Sequence, residues 1–410
     1  MTSEYLKSCV FTQEYLEFQN VIFSRNEPVR RLFCGSFFEL PIFYFLSNPT
    51  DVDVILYDIT LCAIYNQVRV AATRESNVVT IDTTDCHVGY ARLRNGREYY
   101  RKPYNFNKGP SCTRQMPIRS LCLRSLLRWI STRWRDIETI TEDNVFAISC
   151  PLWPPEAYEW KTRERLNGWP PADTINAIFK SGCHLVSKPH ANNPNDDTQW
   201  RYSFSQAETI LIHNSWTDVQ KYIYHLLRII KRDVVSKCGG DSQTFISNYY
   251  FKTLMLWACE EKPSEFWEER NIVTSVRELL LDLVEKLIER NVRHYFMPAN
   301  NIMDDLPCSH SIDNEVRLLL CYTEEDILDI VISEPKAYDI TPGFVAASNE
   351  FIYPLVTIIS SLAKSIIQDG CLKQSRTHFN NYCGYNYFFL ELEYLHRGIM
   401  IHLHVKVKQL

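Results

Sequence analysis

Two segments near the N-terminus carry residues suited to phosphate and metal chemistry. Gly35 and Ser36 predict a turn that offers backbone N–H groups and a hydroxyl to a phosphate. Asp51 and Asp53 follow in a strand-like run, and residues two apart in a strand lie on the same face of a sheet. Carboxylates beside bound phosphates suit Mg²⁺ or Mn²⁺, which prefer oxygen ligands. The pattern indicates a metal-dependent phosphoryl-transfer site. The alternative is a turn followed by an edge strand with two solvated aspartates.

The composition is typical of a folded protein with two or three domains or lobes. The chain has 410 residues, of which 45% are hydrophobic and 13% aromatic, so it can bury a large core. Its net charge of −5 conceals a basic segment over residues 92–135, in which Glu98 is the single acid among twelve lysines and arginines. The remainder of the chain is correspondingly acidic.

The cysteines indicate a reducing compartment. All 14 are scattered, without a CxxC pair or a Cys/His cluster at ligand spacing, so neither a disulfide framework nor a zinc site is predicted. The first residues do not form a basic-then-apolar signal peptide, and the most apolar late stretch is interrupted by Pro354 and Lys364. We expect a soluble cytoplasmic chain, with the nucleus as the alternative.

Apolar periodicity predicts strands in the first part of the chain and mainly helices after residue 153. Helical spacing is found over 4–24, 118–134, 173–180, 204–212, 219–235, 247–259 and 272–290. Strand patterns are found over 52–64, 77–81, 87–94, 143–148 and 401–408. The segment 95–117 is rich in Gly, Pro, Asn and aromatic residues and predicts a long surface loop.

Several motifs follow the Gly-Ser turn and the Asp-x-Asp strand in the order known from one family. They are CPLWP at 150–154, CHLVSK at 183–188, WRYSFSQAE at 200–208, SNYYFKT at 247–253 and YFMPANN at 295–301. Each is weak alone, but their ordered recurrence is specific. The chain resembles the cGAS-like receptor family, in the male-abnormal (Mab) branch of the nucleotidyltransferase superfamily.

The resemblance implies an α+β (mixed) fold of two lobes. In this bilobal nucleotidyltransferase fold, an N-terminal lobe with a mixed β-sheet and flanking helices faces a helical C-terminal lobe across the active-site cleft. We expect the N-terminal lobe and its leading helix over 1–153, the helical lobe over 154–303, and a C-terminal extension over 304–410 to which no role is assigned.

The resemblance also implies a third carboxylate, on a strand adjacent to the Asp-x-Asp strand. Asp143 is the best candidate, and its neighbour Glu142 is the runner-up on the opposite face; a turn or capping aspartate is the structural alternative. Asp51, Asp53 and Asp143 would then hold two Mg²⁺ or Mn²⁺ ions. A ribose hydroxyl of the substrate would be the nucleophile, since the protein's part in phosphoryl transfer is mainly positioning and charge neutralisation.

The same resemblance assigns contacts to the nucleoside triphosphates, ATP and GTP. Beyond Gly35 and Ser36, the matching positions are Lys188, Arg201, Asn248, Tyr249 and Lys252, with Tyr249 stacking on a nucleobase. The alternatives are a buried helix aromatic for Tyr249 and a solvated lysine for Lys188. Tyr224 departs from the family pattern, because many relatives carry there a lysine that contacts phosphate.

The basic segment predicts a nucleic-acid-binding face. Arginines interleaved with tyrosines and tryptophans are typical of contacts to phosphates that read no sequence. The candidates on the predicted helix over 118–134 are Arg119, Arg124 and Arg128. The chain lacks the zinc-binding insertion of the vertebrate family member, which favours double-stranded RNA over DNA. A solvated helix face with a loop paired to acidic residues is the alternative.

Two functions are therefore predicted. The first is a cytoplasmic receptor enzyme that binds double-stranded nucleic acid and joins nucleoside triphosphates into a cyclic dinucleotide messenger of innate immunity. The second is a catalytically inactive Mab-family binding or developmental scaffold. The aspartates favour the enzyme, and Tyr224 favours the scaffold.

Overall fold

The computed structural model of the chain describes residues 29–34, 51–65, 77–101, 112–117, 139–165, 167–240, 244–306 and 312–334. Within these ranges a mixed β-sheet packs against a set of helices. The predicted helices over 4–24 and 118–134 and the predicted strand over 401–408 lie outside the described residues.

The described strands form one nine-stranded sheet. They are β1 (Val29–Cys34), β2 (Asp51–Tyr65), β3 (Asn77–Asp82), β4 (Tyr90–Asn95), β5 (Glu98–Tyr99), β6 (Cys112–Pro117), β7 (Thr139–Cys150), β8 (Cys183–Val186) and β9 (Gln199–Ser203). Their order is β1-β2-β3-β4-β9-β8-β7-β6, with β5 paired to β4. Because β2 also pairs with β7, the path from β2 through β3, β4, β9, β8 and β7 returns to β2.

Strand β2 is the centre of this arrangement. It runs antiparallel to β1 and parallel to both β3 and β7. Its first half pairs with β7 and its last five residues pair with β3, with a shift of register after Asp58. Its β-branched and aromatic residues suit a strand that is paired on both sides. The start of β2, which carries the Asp-x-Asp pair, therefore lies directly beside β7.

The helices follow the sheet in sequence. They are α1 (Tyr158–Thr162), α2 (Ala172–Ser181), α3 (Ser205–Ser215), α4 (Asp218–Lys237), α5 (Asn248–Glu261), α6 (Ile272–Ile288), α7 (Asp313–Leu320) and α8 (Glu324–Ser333). Thr217 begins α4 with a capping box, in which its side chain and that of Gln220 each accept a backbone N–H of the other residue. None of the described helices is both long and apolar enough to span a membrane.

The two lobes share a hydrophobic core. Its members extend from Leu61 and Trp200 of the sheet to Leu279 of α6. Trp153, in the CPLWP motif, lies at the junction and packs against Trp160, Phe204 and Phe296, with ring centroids 5.2–5.7 Å apart. A continuous aromatic core fixes the sheet relative to the helices, so a site between them is held in place.

Secondary-structure elements lie beyond both expected lobe boundaries, at residues 153 and 303. Strands β8 and β9 lie beyond residue 153 yet complete the sheet, because β8 pairs with β7 and β9 pairs with β4. The helical lobe likewise continues past residue 303, since α7 and α8 pack against α6. The sheet therefore continues past residue 153, and the packed helices continue past residue 303.

The predicted loop over 95–117 is wrong in part. Residues 98–99 and 112–117 form the strands β5 and β6, and β6 pairs antiparallel with β7 at the edge of the sheet. An edge strand can end in Pro117 because proline's missing N–H is tolerated there. The predicted α+β architecture, with a mixed sheet and a helical lobe, is confirmed.

Candidate active site

A cleft of about 930 Å³ separates the sheet from the helical lobe. Strands β2, β4 and β9 contribute to one side, and α5 together with residues 294–306 contributes to the other. A concave site with a few convergent polar groups is where a ligand is expected. The titratable side chains in its lining include Asp53, His87, Lys188, His190, Arg201, Glu208, Lys252, His294, Asp304 and Asp305.

Strand pairing brings two of the predicted metal-binding aspartates to neighbouring positions. Asp53 is exposed and lines the cleft, and its backbone partner in β7 is Asp143. Paired positions on adjacent strands fall on one face of a sheet, and Asp51, two residues before Asp53, has a position on that face. Glu142 pairs with Val52 and so has a position on the opposite face. The register therefore favours Asp143 over Glu142.

The donor set suits a divalent metal. Carboxylate oxygens are the ligands that Mg²⁺ and Mn²⁺ prefer, and three positions on one sheet face could supply them. Of the three aspartates, the structure describes the side chain of Asp53 alone, and no three described His, Cys, Asp or Glu side chains are grouped as metal ligands. The convergence of the three carboxylates stays a prediction.

Lys188 and Arg201 both line the cleft, as the resemblance implies for nucleotide contacts. Lys188 follows β8 and Arg201 lies in β9. The positive charge of Arg201 lowers the pKa of Lys188, so the two cations act on the same region. Arg201 Nη1 lies 3.9 Å from Oδ2 of Asp305. Neighbouring cations beside open space are suited to binding phosphate.

Tyr249 and Lys252 of α5 belong to a hydrogen-bonded network with Glu208 and His294. Lys252 Nζ donates to Glu208 Oε2 at 2.9 Å, and Tyr249 Oη donates to Glu208 Oε1 at 2.9 Å. His294 Nε2 lies 2.9 Å from Tyr249 Oη. Only 10% of the Lys252 side chain and 4% of the Glu208 side chain are exposed. The charge of Lys252 is therefore compensated by a buried carboxylate.

The protonation states of this network follow from its contacts. His294 Nδ1 accepts two backbone N–H groups of the following turn, each at 3.1 Å, so the ring carries its proton on Nε2 and donates to Tyr249. Burial lowers the pKa of His294 to about 4. Burial alone would raise the pKa of Glu208, but the charge and hydrogen bond of Lys252 outweigh it and hold that pKa below its usual value. Tyr249 is thus fixed by one donor and one acceptor.

Two residues that the resemblance assigns near nucleotide lie away from the cleft lining. Asn248 is exposed at the first position of α5, whereas Ser247, the N-cap of that helix, lines the cleft. Tyr224 is buried in α4 and packs against Trp216, with ring centroids 5.4 Å apart. Tyr224 therefore belongs to the hydrophobic core. The tyrosine at this position, where many relatives carry a lysine, does not alter the described lining of the cleft.

The remaining predicted site residues, Gly35, Ser36, Arg119, Arg124 and Arg128, lie outside the described residues. Their roles stay predictions.

Three described arginines of the basic segment are paired with acids. Ion pairs join Arg92 to Asp196 at 3.5 Å, Arg94 to Asp82 at 2.7 Å, and Arg101 to Asp197 at 2.8 Å. This arrangement agrees with the alternative in which part of the segment pairs with the acidic remainder. A nucleic-acid face would have to rest mainly on other arginines.

Glu208, His294 and Asp305 are among the residues of the described cleft lining that sequence reasoning missed. Glu208 ends the WRYSFSQAE motif and His294 directly precedes YFMPANN, so proximity to a motif was an available signal for both. Asp305 lies beyond the last motif and carried no such signal.

Comparison with known proteins identifies two adjacent domains. Residues 122–214 match the Mab-21 protein nucleotidyltransferase domain, and residues 220–317 match the Mab-21 protein HhH/H2TH-like domain. Protein male abnormal 21 of Caenorhabditis elegans is 31% identical over 178 residues, which are 41% of this chain and 46% of that protein. Its counterpart in Caenorhabditis briggsae is 31% identical over 180 residues, with the same coverage. Protein mab-21-like of Drosophila melanogaster is 27% identical over 163 residues, 37% of this chain and 42% of that protein.

The matched part spans less than half the length of these curated relatives. The two domains follow one another in the order of the two lobes, and the first is a nucleotidyltransferase domain. The second match ends at residue 317, within α7, in agreement with a helical lobe that continues past 303. The chain belongs to the Mab family, within the broader cGAS-like group of nucleotidyltransferase-fold proteins.

Proposed function

We propose that this protein is a metal-dependent nucleotidyltransferase that joins two nucleoside triphosphates, ATP and GTP, into a cyclic dinucleotide. The observation that carries the proposal is the register of β2 and β7, which sets Asp53 of the cleft directly beside Asp143. A binding scaffold has no physical need for aspartates at three positions of one sheet face. The nucleotidyltransferase domain match supports the same reaction class.

The chemistry is the formation of a phosphodiester by displacement. A ribose hydroxyl of one nucleotide attacks the α-phosphorus of another, and pyrophosphate leaves; a second such step closes the ring. Mg²⁺ or Mn²⁺ held by Asp51, Asp53 and Asp143 would neutralise charge on the reacting phosphate. The protein's own contribution is to hold the two nucleotides in line.

Cleft residues support this positioning role. Lys188 and Arg201 line the cleft and would be available to the triphosphate, and the Asp305 carboxylate, 3.9 Å from Arg201, also acts on Lys188. Tyr249 lines the cleft with its hydroxyl fixed between Glu208 and His294. An aromatic ring that is held in one orientation before the ligand arrives loses little entropy when a base stacks on it.

We propose double-stranded nucleic acid as the activator, with RNA ahead of DNA, through the basic segment and in particular Arg119, Arg124 and Arg128. The support is the arginine density of this segment. We place the protein in the cytoplasm, with the nucleus as the alternative. Seven cysteines with described side chains are free thiols, which supports a reducing compartment.

A second candidate function is a Mab-family binding scaffold without turnover. One observation favours it: Lys252, which the resemblance assigns to nucleotide, already neutralises Glu208. In that case the cleft would bind a nucleotide or another anion as a structural ligand and release it unchanged.

The test is turnover by the purified full chain. The protein is incubated with all four labelled nucleoside triphosphates, Mg²⁺ or Mn²⁺, and double-stranded RNA or DNA, and the products are treated with phosphatase. A phosphatase-resistant product that is lost in Asp53→Asn but kept in Asp329→Asn, an exposed residue of α8, supports the enzyme. Triphosphate binding without any such product, under every activator tested, supports the scaffold.

A further inference from the structure

Asp305 connects the two sides of the cleft. It lies in the turn after Asn301, and both of its carboxylate oxygens are 2.7 Å from Oη of Tyr90 in β4, which donates to them. The backbone N–H of Ala191 approaches Oδ1 at 3.4 Å, and His190 Nε2 lies 3.5 Å from the same oxygen. These contacts hold the carboxylate in one place, so its charge acts at a fixed point in the cleft.

The two oxygens of this carboxylate have different surroundings. Oδ1 faces the backbone N–H of Ala191 and the ring of His190, whereas Oδ2 faces Arg201, whose Nη1 is 3.9 Å away. The side chain of Asp305 is 34% exposed and that of Arg201 is 36% exposed, so the space beside both opens to the cleft. Asp305 also opposes the effect of Arg201 on the pKa of Lys188. One carboxylate thus lies beside Arg201 and acts electrostatically on Lys188, the two cations proposed to bind an anionic ligand.

We propose that Asp305 is an internal counter-anion, which partly neutralises Arg201 and Lys188 and so sets how tightly the cleft binds a polyanionic ligand. That the ligand is a nucleoside triphosphate rests on the proposed function; the electrostatic argument itself needs only a polyphosphate. Charges about 4 Å apart interact strongly at the edge of a protein, and a fixed carboxylate beside Arg201 repels any phosphate that approaches the same cation. Asp305 would therefore lower the affinity of the cleft for triphosphate.

A purely structural role for Asp305 predicts the opposite result. If this residue served only to fasten the turn to β4, any loss of its contacts would loosen the cleft and weaken binding. The close approach of the two lobes does not depend on Asp305 alone, because Gly89 and Asn300 also meet there: a Cβ on Gly89 would lie 2.4 Å from Nδ2 of Asn300. The cleft should therefore keep its shape when only the charge of Asp305 is removed.

Three variants of the full chain separate these roles. Asp305→Asn removes the charge and keeps an oxygen for Tyr90. Tyr90→Phe removes the hydroxyl and keeps the charge. Asp329→Asn makes the same change at an exposed side chain of α8, outside the described lining of the cleft. Binding of inorganic tripolyphosphate and of non-hydrolysable ATP and GTP analogues is measured by calorimetry at low and moderate salt, and melting temperatures are recorded.

We expect Asp305→Asn to bind tripolyphosphate and the nucleotide analogues about ten-fold more tightly than the parent, with a gain that shrinks as salt rises. Asp329→Asn should change the affinity less than two-fold, and Tyr90→Phe should not tighten it. If Asp305→Asn binds no better than the parent, the inference is wrong. Should Asp305→Asn fail to fold, Asp305→Ser is measured by the same criterion, and collapse of both variants would establish the fastening role instead.

The same measurements separate this inference from the proposed function. Tighter tripolyphosphate binding by Asp305→Asn, without any preference of the cleft for nucleotides, would support the counter-anion role and contradict the proposed nucleotidyltransferase function. Nucleotide binding and turnover that do not change in Asp305→Asn would support the proposed function and contradict the counter-anion role. Failure of the parent and of every variant to bind any of these probes would overturn both.

Discussion

The buried ion pair between Lys252 and Glu208 allows a quantitative test of how the cleft is held together. We expect Lys252→Met to lower the free energy of unfolding by about 3 kcal/mol, because it leaves the Glu208 carboxylate buried without its cation. The lower end of the usual 3–5 kcal/mol range applies, since Tyr249 continues to donate to that carboxylate. Glu208→Gln, which keeps an oxygen for Tyr249, should lower the free energy of unfolding by about 2–4 kcal/mol, because it removes the carboxylate charge that compensates the Lys252 ammonium.

The double variant distinguishes a true pair from two independent residues. With both charges of the pair removed, neither residue leaves an uncompensated buried charge. The double variant should therefore lose much less unfolding free energy than the sum of the losses in the two single variants. We expect a shortfall of at least about 2 kcal/mol, which is the coupling energy of the pair. A loss of about 3 kcal/mol in the free energy of unfolding lowers the urea midpoint by about 1 M, if that free energy falls by about 3 kcal/mol for each molar of urea.

The assay is urea unfolding followed by tryptophan fluorescence and circular dichroism, with Lys237→Met as the matched control. Lys237 pairs with Asp233 on the surface of α4, where their side chains are 53% and 42% exposed. Such an exposed pair should contribute less than about 1 kcal/mol. Equal losses in Lys252→Met and Lys237→Met, or additive losses in the double variant, would refute the reasoning.

Three further predictions concern catalysis, pH and the activator. Asp53→Asn should abolish cyclic dinucleotide formation, because it removes a metal ligand. The melting temperature should stay unchanged, since the substitution also relieves repulsion among carboxylates. Undiminished product would show that Asp53 is a surface residue without a catalytic role. The pKa of His294 is about 4 when folded, against about 6.5 for an exposed imidazole, so the unfolded chain binds a proton that the folded chain excludes. The free energy of unfolding should therefore fall by about 3 kcal/mol through this group as the pH drops from 6.5 to 4, and urea titrations of His294→Asn should lack that share of the loss. Charge reversal of Arg119, Arg124 and Arg128 should weaken activation by double-stranded RNA and reduce the salt dependence of RNA binding. Triphosphate binding should stay unchanged. An unaltered salt dependence would show that these residues do not contact the RNA.

Local periodicity predicted most of the described helices because each has a broad apolar face of its own. The pattern over 219–235 predicted α4, and the helix extends one residue further at its start and two further at its end. The capping box of Thr217 fixes its start. Strand β6 was missed for the opposite reason. Its sequence, CTRQMP, has no alternation of apolar and polar residues, and it becomes a strand through its pairing with β7.

The site divides in the same way between local and long-range information. Motifs located Lys188, Arg201, Tyr249 and Lys252, all of which line the cleft. They could not show that Lys252 is neutralised by Glu208, since that contact joins residues 44 positions apart in the chain. Tertiary packing brings such residues together, and the pattern of a single sequence does not reveal that packing.

Tyr224 shows why a departure from a family pattern needs a structure before it bears on function. On α4 every position from 222 to 227 is buried, so helical spacing does not tell which of them faces a ligand. The ring of Tyr224 packs on Trp216 in the core, where a lysine would need a partner or a path to solvent. An anionic ligand in the cleft, as proposed, would therefore be bound mainly by Lys188 and Arg201, because Lys252 is held by Glu208. With only these two cations attracting the ligand, the carboxylate of Asp305 would offset a large fraction of the attractive charge, and the affinity of the cleft would be sensitive to that single residue.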